Sequence, residues 1–522
     1  MKRIPVFFLS FLLLMPLLLT GCGRQNVALD ILLPEEPVTL DPQVADDSNA
    51  KIVIRSLFEG LTRLDENNEP VPGVAEHWDV SEDGCTYTFY LREDALWSDE
   101  TPVTAKDFVF AFRRALAPET DSPTCQTLFC LENGEAFHQG KVKETALGVS
   151  APDDRILVVE LVSPNKDFLR LTATAPFMPC REDYFLETEG KYGLESSSIL
   201  GNGPFRMENR YSWEHGEYIH LLRSSTYYDA SRVVPYKLTM TIADEETEAD
   251  PLLQLRDGTT CIARLPGISS ESLQDNNMRT VSHTDTTWGL CCNTKSENLK
   301  DLSVRRLLLQ AIDRKTLLQS LPAGAKAADS ILPPSTLWNG EPYHSSGKAY
   351  LKEDSSDAKN ENSKIVPPVT ILCPDTEAAK ELCNALITMW NPTFGRYYNM
   401  EPLPEDKLRR RIQSGNYEIA LLSLTADAEG PTAFLSQFTS TSKKNPAHWE
   451  SSAFDKLLRF SSGDTEQDIL KRCQKAEQML SDNAVFYPVY YEARTWAYSP
   501  DLTGIIVHPY DMGIDFSHAG NS

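Results

Sequence analysis

The side chains that could do chemistry in this sequence do not form any of the common catalytic motifs. There is no GxSxG nucleophile elbow, no HExxH metal-binding pair and no phosphate-binding P-loop. The nine histidines are scattered, and His215 and His220 stand five residues apart, which does not place them on one face of a helix. Paired acids such as Glu245 and Glu246 lie in a polar run that is typical of a solvated surface. We therefore expect a protein without catalytic activity.

One short loop does combine acids with residues that shape a turn. The segment 426–435 contains Asp427 and Glu429, followed directly by Gly430 and Pro431. An Asp beside Gly and Pro is in most proteins a turn residue, because its side chain bonds to the nearby backbone. A fixed carboxylate in such a loop can also pair with the ammonium group of a ligand. The residues alone leave both interpretations of Asp427 open.

The cysteines do not indicate a metal site. The chain has 11 of them without a CxxC pair or a His–Cys cluster, so neither a metal nor another cofactor is expected. Leaving aside Cys22, their number is even, which is compatible with disulfides in an exported protein. Cys383 and Cys473 lie in apolar helix stripes, which fits buried free thiols equally well. The spacing does not determine the pairing.

The N-terminus indicates export and lipid attachment. Two basic residues precede an apolar stretch over Ile4–Leu19, which is short for a transmembrane helix. Gly21 and Cys22 follow soon after, and a small residue directly before a cysteine resembles the bacterial lipobox. We expect residues 1–21 to be a lipoprotein signal peptide and Cys22 to carry a diacylglycerol. The alternative is an ordinary secretory signal with a coincidental cysteine.

The composition is that of a folded, acidic protein. Of the 522 residues 41% are apolar and 24% are charged, and the length allows about three domains of ordinary size. Lys and Arg number 50 against 75 Asp and Glu, so the net charge is −25, and −27 once the two basic residues of the signal segment are removed. Nucleic acids and anionic membranes are bound through basic surfaces. Neither is therefore expected as the main partner.

Hydrophobic periodicity predicts a mixed α/β chain. Thr104 and Asp107 form a capping box before an apolar stripe, and Thr465 and Asp468 form a second one. The polar stretch 345–368 is interpreted as a surface insertion or linker. One predicted helix begins after Thr104, and three more are predicted over Ser303–Leu321, Asp375–Trp390 and Thr465–Leu480. The predicted strands are Val27–Leu33, Cys85–Arg92, Arg155–Val162, Tyr218–Arg223, Tyr236–Ile242 and the aromatic run Phe486–Tyr491.

Several short motifs occur in an order that matches a known family. They are Glu36–Pro42, Leu57–Leu61, Pro72–Glu76, Phe89–Arg92, Trp97–Phe108, Gly201–Phe205, Ala311–Arg314, Phe454–Leu458 and Pro488–Tyr491. In this order they resemble the peptide/nickel-type substrate-binding proteins of ABC importers, and among these the oligopeptide-binding branch. The resemblance extends from about residue 27 to the C-terminus, and its specificity comes from the order of the motifs.

The resemblance implies an α/β protein with a two-lobe, periplasmic-binding-protein-like class II fold and a third domain inserted in the N-terminal lobe. Ligand would be held between lobes that close by hinge motion. Two strands, near Trp288–Asn293 and Val485–Arg494, would cross between the lobes. The implied segments are a lipidated tether at 22–26, lobe I at 27–57, 175–288 and 495–522, the inserted domain at 58–174, and lobe II at 289–494.

The same resemblance implies roles for individual residues. In the oligopeptide branch the Asp of an Ala-Asp-x-x-x-Pro-Thr-x-Phe-Leu loop binds the peptide N-terminus, and this position is Asp427 here. Glu429 is the fallback carboxylate. Trp288, near the hinge, is a weaker candidate for a side-chain pocket, and core packing is its simpler interpretation.

The chain departs from the branch at three positions around this loop. Leu421 stands where we align an Arg, and Leu424 and Glu405 stand where we align Trp residues. Amine capture is therefore expected to be retained, whereas the handling of ligand side chains and of the carboxylate is expected to be altered. A particular peptide, for example a murein peptide of the cell wall, is a candidate ligand beside short peptides in general.

The resulting expectation is a lipid-anchored substrate-binding protein that captures short peptides and delivers them to the permease and ATPase of an ABC transporter. It would be a monomer, exported to the periplasmic space or cell surface and tethered to a membrane through Cys22. Two alternatives stay open. One is a receptor for nickel, haem or another small ligand on the same fold, and the other is a surface lipoprotein used in adhesion, signalling or chaperoning.

Replacing the lipid-acceptor cysteine tests the membrane anchor. Because a single acyl chain binds a membrane only marginally, the diacyl group on Cys22 is what would make the attachment stable. In Cys22→Ser we expect loss of labelling by a palmitate analogue, with the precursor accumulating or appearing in soluble form. Cys85→Ser, which removes a different thiol, should keep its label. Unchanged labelling of Cys22→Ser would contradict the lipoprotein prediction.

Overall fold

The computed structural model describes residues 27–243, 251–265, 278–345, 366–426, 430–461, 463–510 and 513–521. The predicted signal peptide and tether with Cys22, the loop acids Asp427 and Glu429, and most of the stretch 345–368 lie outside the described residues. No helix within the described ranges is long and apolar enough to cross a membrane. Nor do these ranges contain a group of three or more His, Cys, Asp or Glu side chains that could hold a metal ion. The ten described cysteines are free thiols.

One large mixed sheet extends through both halves of the molecule. Its central strands are apolar on both faces, because helices and loops cover both sides. Along the sheet the described strands follow the order Asn399–Leu403, Thr370–Pro374, Ile419–Leu424, Arg279–Cys292, Phe486–Tyr498, Ile262–Leu265, Val27–Leu33, Pro235–Ile242, Tyr218–Arg223 and Phe205–Arg206, with Lys326–Ala327 and Trp213–Glu214 pairing at the side. This is the two-lobe α/β class II fold that the resemblance implied.

Two long antiparallel strands, Arg279–Cys292 and Phe486–Tyr498, connect the halves, and we call them the crossing strands. Toward one end, Phe486–Tyr498 pairs with Ile262–Leu265 of the first half. Toward the other end, Arg279–Cys292 pairs with Ile419–Leu424 of the second half. The register between the crossing strands shifts within residues 283–286. A second register shift lies between Trp288 and Gly289, and such bulges increase the local twist and bend of the strands.

Apart from the crossing strands, the strands of the large sheet come from residues 27–265 and 326–424. The domain boundaries themselves stay a prediction. A separate sheet within 58–174 contains Ala75–Val80, Thr86–Leu91, Ile156–Glu160 and Val149–Asp153, in that order.

Capping residues determine where the main helices begin. Helix Ala105–Leu116 follows Thr104, whose backbone N–H donates to Asp107 Oδ2 at 2.7 Å, so the predicted capping box is confirmed. The second predicted box begins the helix after Thr465 in the same way. The longer described helices are Ser48–Leu57, Ala105–Leu116, Leu302–Gln310, Glu377–Phe394, Glu405–Gln413 and Glu466–Asp482, and the shorter ones are Gly134–His138, Phe168–Leu171, Glu182–Glu187, Pro251–Asp257, Arg314–Leu317, Pro431–Leu435 and Ser452–Leu457.

The stretch predicted as one helix over Ser303–Leu321 forms two. The first helix ends at Gln310, and the second begins after Asp313, whose Oδ1 accepts a hydrogen bond from the Thr316 N–H at 3.1 Å. The apolar stripe continues across the break, which is why periodicity alone suggests a single helix. An Asp that caps a new N-terminus competes with continuation of the preceding helix, and that local bond decides the outcome.

A buried acid lies where helix Ser48–Leu57 passes into the segment of the inserted domain. Glu59 is 6% exposed, and its Oε1 accepts hydrogen bonds from the hydroxyls of Tyr227 at 2.9 Å and Tyr228 at 3.2 Å. Its Oε2 has no hydrogen-bond partner among the described residues. Burial raises the pKa of Glu59 to about 7, although the positive charge of Arg63 and the tyrosine hydrogen bonds lower it.

Folding stability should therefore depend on the protonation of Glu59. Between its ordinary pKa of 4.5 and about 7 the folded chain holds a proton that the unfolded chain has lost. Stability consequently falls as the pH rises through this window, by about 3 kcal/mol in total. Glu59→Gln keeps an acceptor oxygen and never ionises. The melting temperature of Glu59→Gln minus that of the parent protein should therefore increase from pH 5 to pH 8.

Thermal denaturation at pH 5, 6, 7 and 8 measures this difference. Glu66→Gln, which removes an exposed acid nearby in the chain, is the matched control and should follow the parent protein at every pH. Parallel melting curves for Glu59→Gln and the parent protein would contradict the assignment of a buried, protonated acid.

Candidate ligand-binding site

A buried ion pair ties the crossing strands together where the sheet bends. Asp285 is 1% exposed, and its Oδ1 accepts a hydrogen bond from Arg494 Nε at 2.7 Å, while Arg494 Nη2 bonds to Oδ2. The backbone N–H of Tyr510 donates to Oδ2 at 2.9 Å. The Thr425 hydroxyl donates to the Asp285 carbonyl oxygen at 3.3 Å. One residue thus joins both crossing strands to the C-terminal segment and to the end of strand Ile419–Leu424.

A small cavity of about 30 Å³ lies beside this pair, where about two waters or one carboxylate group would fit. Helix Ser48–Leu57 contributes its first residues to the wall, and both crossing strands contribute to the floor. The ionisable side chains that line the cavity are Arg264, His283, Asp285, Arg494 and His508. It therefore collects basic groups, in a protein whose overall charge is strongly negative.

His508 presents an unused acceptor in this cavity. Its Nδ1 lies 2.8 Å from Asn68 Oδ1, while its buried Nε2 has no hydrogen-bond partner among the described residues. Burial lowers the pKa of His508 well below its usual range, and the charges of Arg55 and His283 add to this effect. The ring is therefore neutral at pH 7. Since Nδ1 carries the proton toward the Asn68 oxygen, Nε2 keeps a free lone pair.

Arg264 is the second buried cation of this cavity. Its side chain makes no hydrogen bond or ion pair with another described residue, whereas the side chain of Arg494 is paired with Asp285. Burial lowers the pKa of Arg264, and the neighbouring Arg494 lowers it further, while the charges of Glu492, Asp285 and Glu35 act in the opposite direction. A guanidinium stays protonated under such conditions.

Trp288 lies on a crossing strand and faces other protein side chains. Its Nε1 donates a hydrogen bond to Glu492 Oε2 at 2.6 Å, and its ring stacks on Tyr490 at a centroid distance of 5.8 Å and an angle of 6°. The side chain is half-buried against the core of the second half. Contact of Trp288 with a ligand stays a prediction.

The loop residues 427–429, which include Asp427 and Glu429, lie outside the described residues, but the structure describes the residues on both sides of them. At the first end, Gln437 Nε2 donates to the Thr425 carbonyl oxygen at 2.8 Å, in addition to the contact of Thr425 with Asp285. At the other end Gly430 has a φ of +103°, a conformation that favours glycine. A Cβ added there would lie 3.7 Å from Asp167 Oδ2 of the inserted-domain segment.

The two halves approach each other with acidic side chains. Glu405 begins helix Glu405–Gln413 in the second half, and Glu35 follows strand Val27–Leu33 in the first. Glu405 is exposed, yet desolvation by the surrounding protein raises its pKa. The positive charge of Arg409 lowers this pKa, and the negative charges of Glu35 and Asp406 raise it. An acid thus stands at the position where the resemblance implied a Trp.

Ion pairs bridge the halves at the surface. Lys166 Nζ lies 2.6 Å from Glu466 Oε1, and Arg459 Nη2 lies 3.4 Å from Glu135 Oε1. Both pairs are solvent-exposed, so each contributes at most about 1 kcal/mol to holding the halves together.

The sequence did not identify Asp285, Arg494, Arg264 or His508 as part of this region. A usable signal was present, because a charged residue within an otherwise apolar strand must find a partner or a ligand. Which partner it finds depends on chain segments that are far apart: Asp285 and Arg494 are separated by 209 positions.

Comparison with known protein families and curated proteins gives matches over most of the chain. The model described as bacterial extracellular solute-binding proteins, family 5 Middle, matches residues 69–446. The oligopeptide-binding protein OppA of Bacillus subtilis is 28% identical over 95% of this chain and 96% of its own length. The periplasmic oligopeptide-binding protein OppA of Salmonella typhimurium is 30% identical over 90% of this chain and 88% of its own length.

The fold also matches solved structures. The murein tripeptide binding protein MppA of Escherichia coli superposes with a TM-score of 0.83 at 26% identity, covering 95% of this chain and 99% of that chain. The unliganded open form of MppA superposes with a TM-score of 0.64, at the same identity and over 95% of this chain and 98% of that chain. This chain is therefore less similar to that open form than to the other MppA structure.

Proposed function

Because this chain belongs to family 5 of the bacterial extracellular solute-binding proteins, we propose that it captures short peptides between its two halves and delivers them to an ABC importer. Members of the family bind solutes and are not enzymes, and this holds for the chain as well. The observation that carries the proposal is the nearly full-length alignment with two relatives named oligopeptide-binding proteins.

The proposed mode of binding uses the backbone of the peptide for affinity and its amino terminus for orientation. An extended peptide pairs with protein backbone as an added strand, which is independent of its sequence. Asp427, in the loop that follows Thr425, accepts the α-ammonium group, and Glu429 is the alternative carboxylate. Ligand side chains occupy hydrated pockets whose waters adapt to each residue. Closure of the halves about the crossing strands then excludes bulk water from the pair formed by Asp427 and the ammonium group of the peptide.

The proposed protein is a membrane-tethered monomer. The segment before Cys22 has the pattern of a lipoprotein signal, and a diacyl group on Cys22 would hold the mature chain at the outer face of a membrane. There it would present its ligand to the permease and the associated ATPase. Holding the binding protein near the membrane raises its effective concentration at the permease.

A murein peptide is the more specific ligand that the altered residues favour. Leu421 and Leu424 are buried and apolar where the branch implies an Arg and a Trp, and Glu405 places an acid at the other Trp position. The similarity to a murein tripeptide binding protein supports this choice. A pocket with an added acid accepts a basic or amine-bearing side chain better than an aromatic one.

Ligand-dependent stabilisation and compaction test the proposed function. A ligand that binds only the folded protein increases its free energy of unfolding, by about 2.7 kcal/mol at a ligand concentration 100 times the Kd, and thereby raises its melting temperature. Di- to pentapeptides or a murein tripeptide should therefore raise the melting temperature, and small-angle scattering should show a more compact particle. Absence of both effects for the whole panel would contradict peptide binding, and titration with nickel or haem would then test the alternatives.

Asp427 should be the residue that recognises the free amino terminus. Removing one member of a buried charge pair costs about 3–5 kcal/mol, which is a loss of roughly a few hundredfold to a few thousandfold in affinity. Asp427→Asn keeps the shape of the side chain, so folding should be retained while binding collapses. N-acetylation should weaken binding to the parent protein strongly and to Asp427→Asn only slightly.

Calorimetry on the four combinations of protein and peptide decides this coupling. Glu429→Gln is the matched control, because it removes the same charge from the same loop. Additive losses for Asp427→Asn and acetylation would show that Asp427 is only a turn residue. Non-additive losses in Glu429→Gln instead would assign the role to Glu429.

A further inference from the structure

Two buried thiols meet between a strand and a helix of the second half. Cys373 lies on strand Thr370–Pro374, and Cys383 lies on helix Glu377–Phe394. Neither side chain is exposed, and both belong to one apolar core cluster. A hydrogen bond joins the two thiols, so their sulfur atoms lie side by side. A disulfide requires this arrangement, because its geometry allows little separation between the two side chains.

The alternation of the strand turns Cys373 toward the helix. Ile371 and Cys373 pack in the same core cluster as the helix, whereas Leu372 between them packs in a different cluster. Cys383 lies on the buried stripe of the helix, whose other members nearby are Ala379, Leu382 and Leu386. The two thiols therefore face each other across the contact between strand and helix.

A short connection brings the helix back along its own strand. Only Asp375 and Thr376 lie between the end of the strand and the first residue of the helix. Thr376 Oγ1 accepts a hydrogen bond from the Ala379 N–H at 3.3 Å, and Lys380 Nζ lies 2.7 Å from Asp375 Oδ1. These bonds fix the start of the helix. The approach of the two thiols is therefore determined within one short segment of the chain.

The compartment favours oxidation of such a pair. The family to which the chain belongs is described as extracellular, and disulfides form and persist in oxidising environments outside the cytoplasm. Cys291 and Cys292 are also close together, but as neighbours on a strand they point to opposite faces and pack in different core clusters. Cys373 and Cys383 come from different elements and face each other, so the fold holds them ready for a bond.

We propose that Cys373 and Cys383 form a disulfide in the exported protein. Each thiol loses its proton, an Sγ–Sγ bond forms, and the two electrons reduce the disulfide of an oxidant, either a thiol–disulfide exchange protein or a small disulfide such as oxidised glutathione, to two thiols. Because both side chains are buried in the folded chain, the exchange takes place while the helix docks on the strand. The inference goes beyond the proposed function, since it concerns the scaffold of the second half and not the ligand.

Peptide mapping of the exported protein tests the bond. The full chain is expressed in an exporting bacterial host, isolated from the cell envelope, alkylated in denaturant without reductant and digested with trypsin. Cleavage after Lys380 separates the two cysteines into peptides 365–380 and 381–396, each with a single cysteine. We expect mass spectrometry to find these two peptides joined, and to find them separate after reduction.

The same digest contains a matched control. Cys291 and Cys292 are as fully buried as Cys373 and Cys383, so a difference between the two pairs reports bond formation and not access. Both control thiols should be alkylated without reduction. Alkylation of Cys373 and Cys383 without prior reduction would overturn the proposal, and so would a link from either of them to a different cysteine.

The bond also makes thermal stability depend on reductant. A cross-link restricts the unfolded chain, so the oxidised parent protein should melt roughly 3–10 °C higher without dithiothreitol than with it, because heating exposes the bond to the reductant. The double variant Cys373→Ala with Cys383→Ala should melt at one temperature in both conditions. Cys85→Ser, which removes a half-buried thiol elsewhere, should keep the difference.

Equal melting temperatures of the parent protein with and without dithiothreitol would contradict a stabilising disulfide. Peptide binding enters neither measurement. Failure of the proposed function would therefore leave the result for the two cysteines unchanged, and free thiols at both positions would leave the proposed function unchanged.

Discussion

The ion pair between Asp285 and Arg494 is the constraint around which the two halves are organised. Two charges removed from water are costly unless their remaining hydrogen-bonding positions are satisfied. Here Arg494 bonds to both carboxylate oxygens, and the backbone N–H of Tyr510 supplies a further donor. The pair lies at the bulge of the crossing strands, where ladder hydrogen bonds are interrupted. It therefore fixes the relation of the strands at the point where backbone pairing is weakest.

Away from this point, buried apolar residues such as Leu64 and Ala173 pack in one cluster with the core of the second half, and ion pairs add contacts at the surface. The bridging pairs Lys166–Glu466 and Arg459–Glu135 are exposed, so they are weak and are screened by salt. Acids such as Glu35 and Glu405 repel each other across the cleft.

The sequence by itself determined what depends on neighbouring residues. The strand Val27–Leu33 was predicted with its observed bounds, and the capping box at Thr104 predicted the start of its helix, because these signals act over a few positions. The order of short motifs was sufficient to indicate the two-lobe fold and the family. The break after Gln310 already lay beyond periodicity, since a single capping bond at Asp313 decides it.

Only the tertiary structure decided how the charged residues combine. Asp285 and Arg494 are 209 positions apart, and His508 meets Asn68 across 440 positions. No local pattern encodes such partners, because which buried charge is neutralised and which stays free depends on the packing of distant segments. Arg264 is for this reason an ordinary strand residue in the sequence, whereas in the described part of the fold it lies in a cavity beside the paired Arg494.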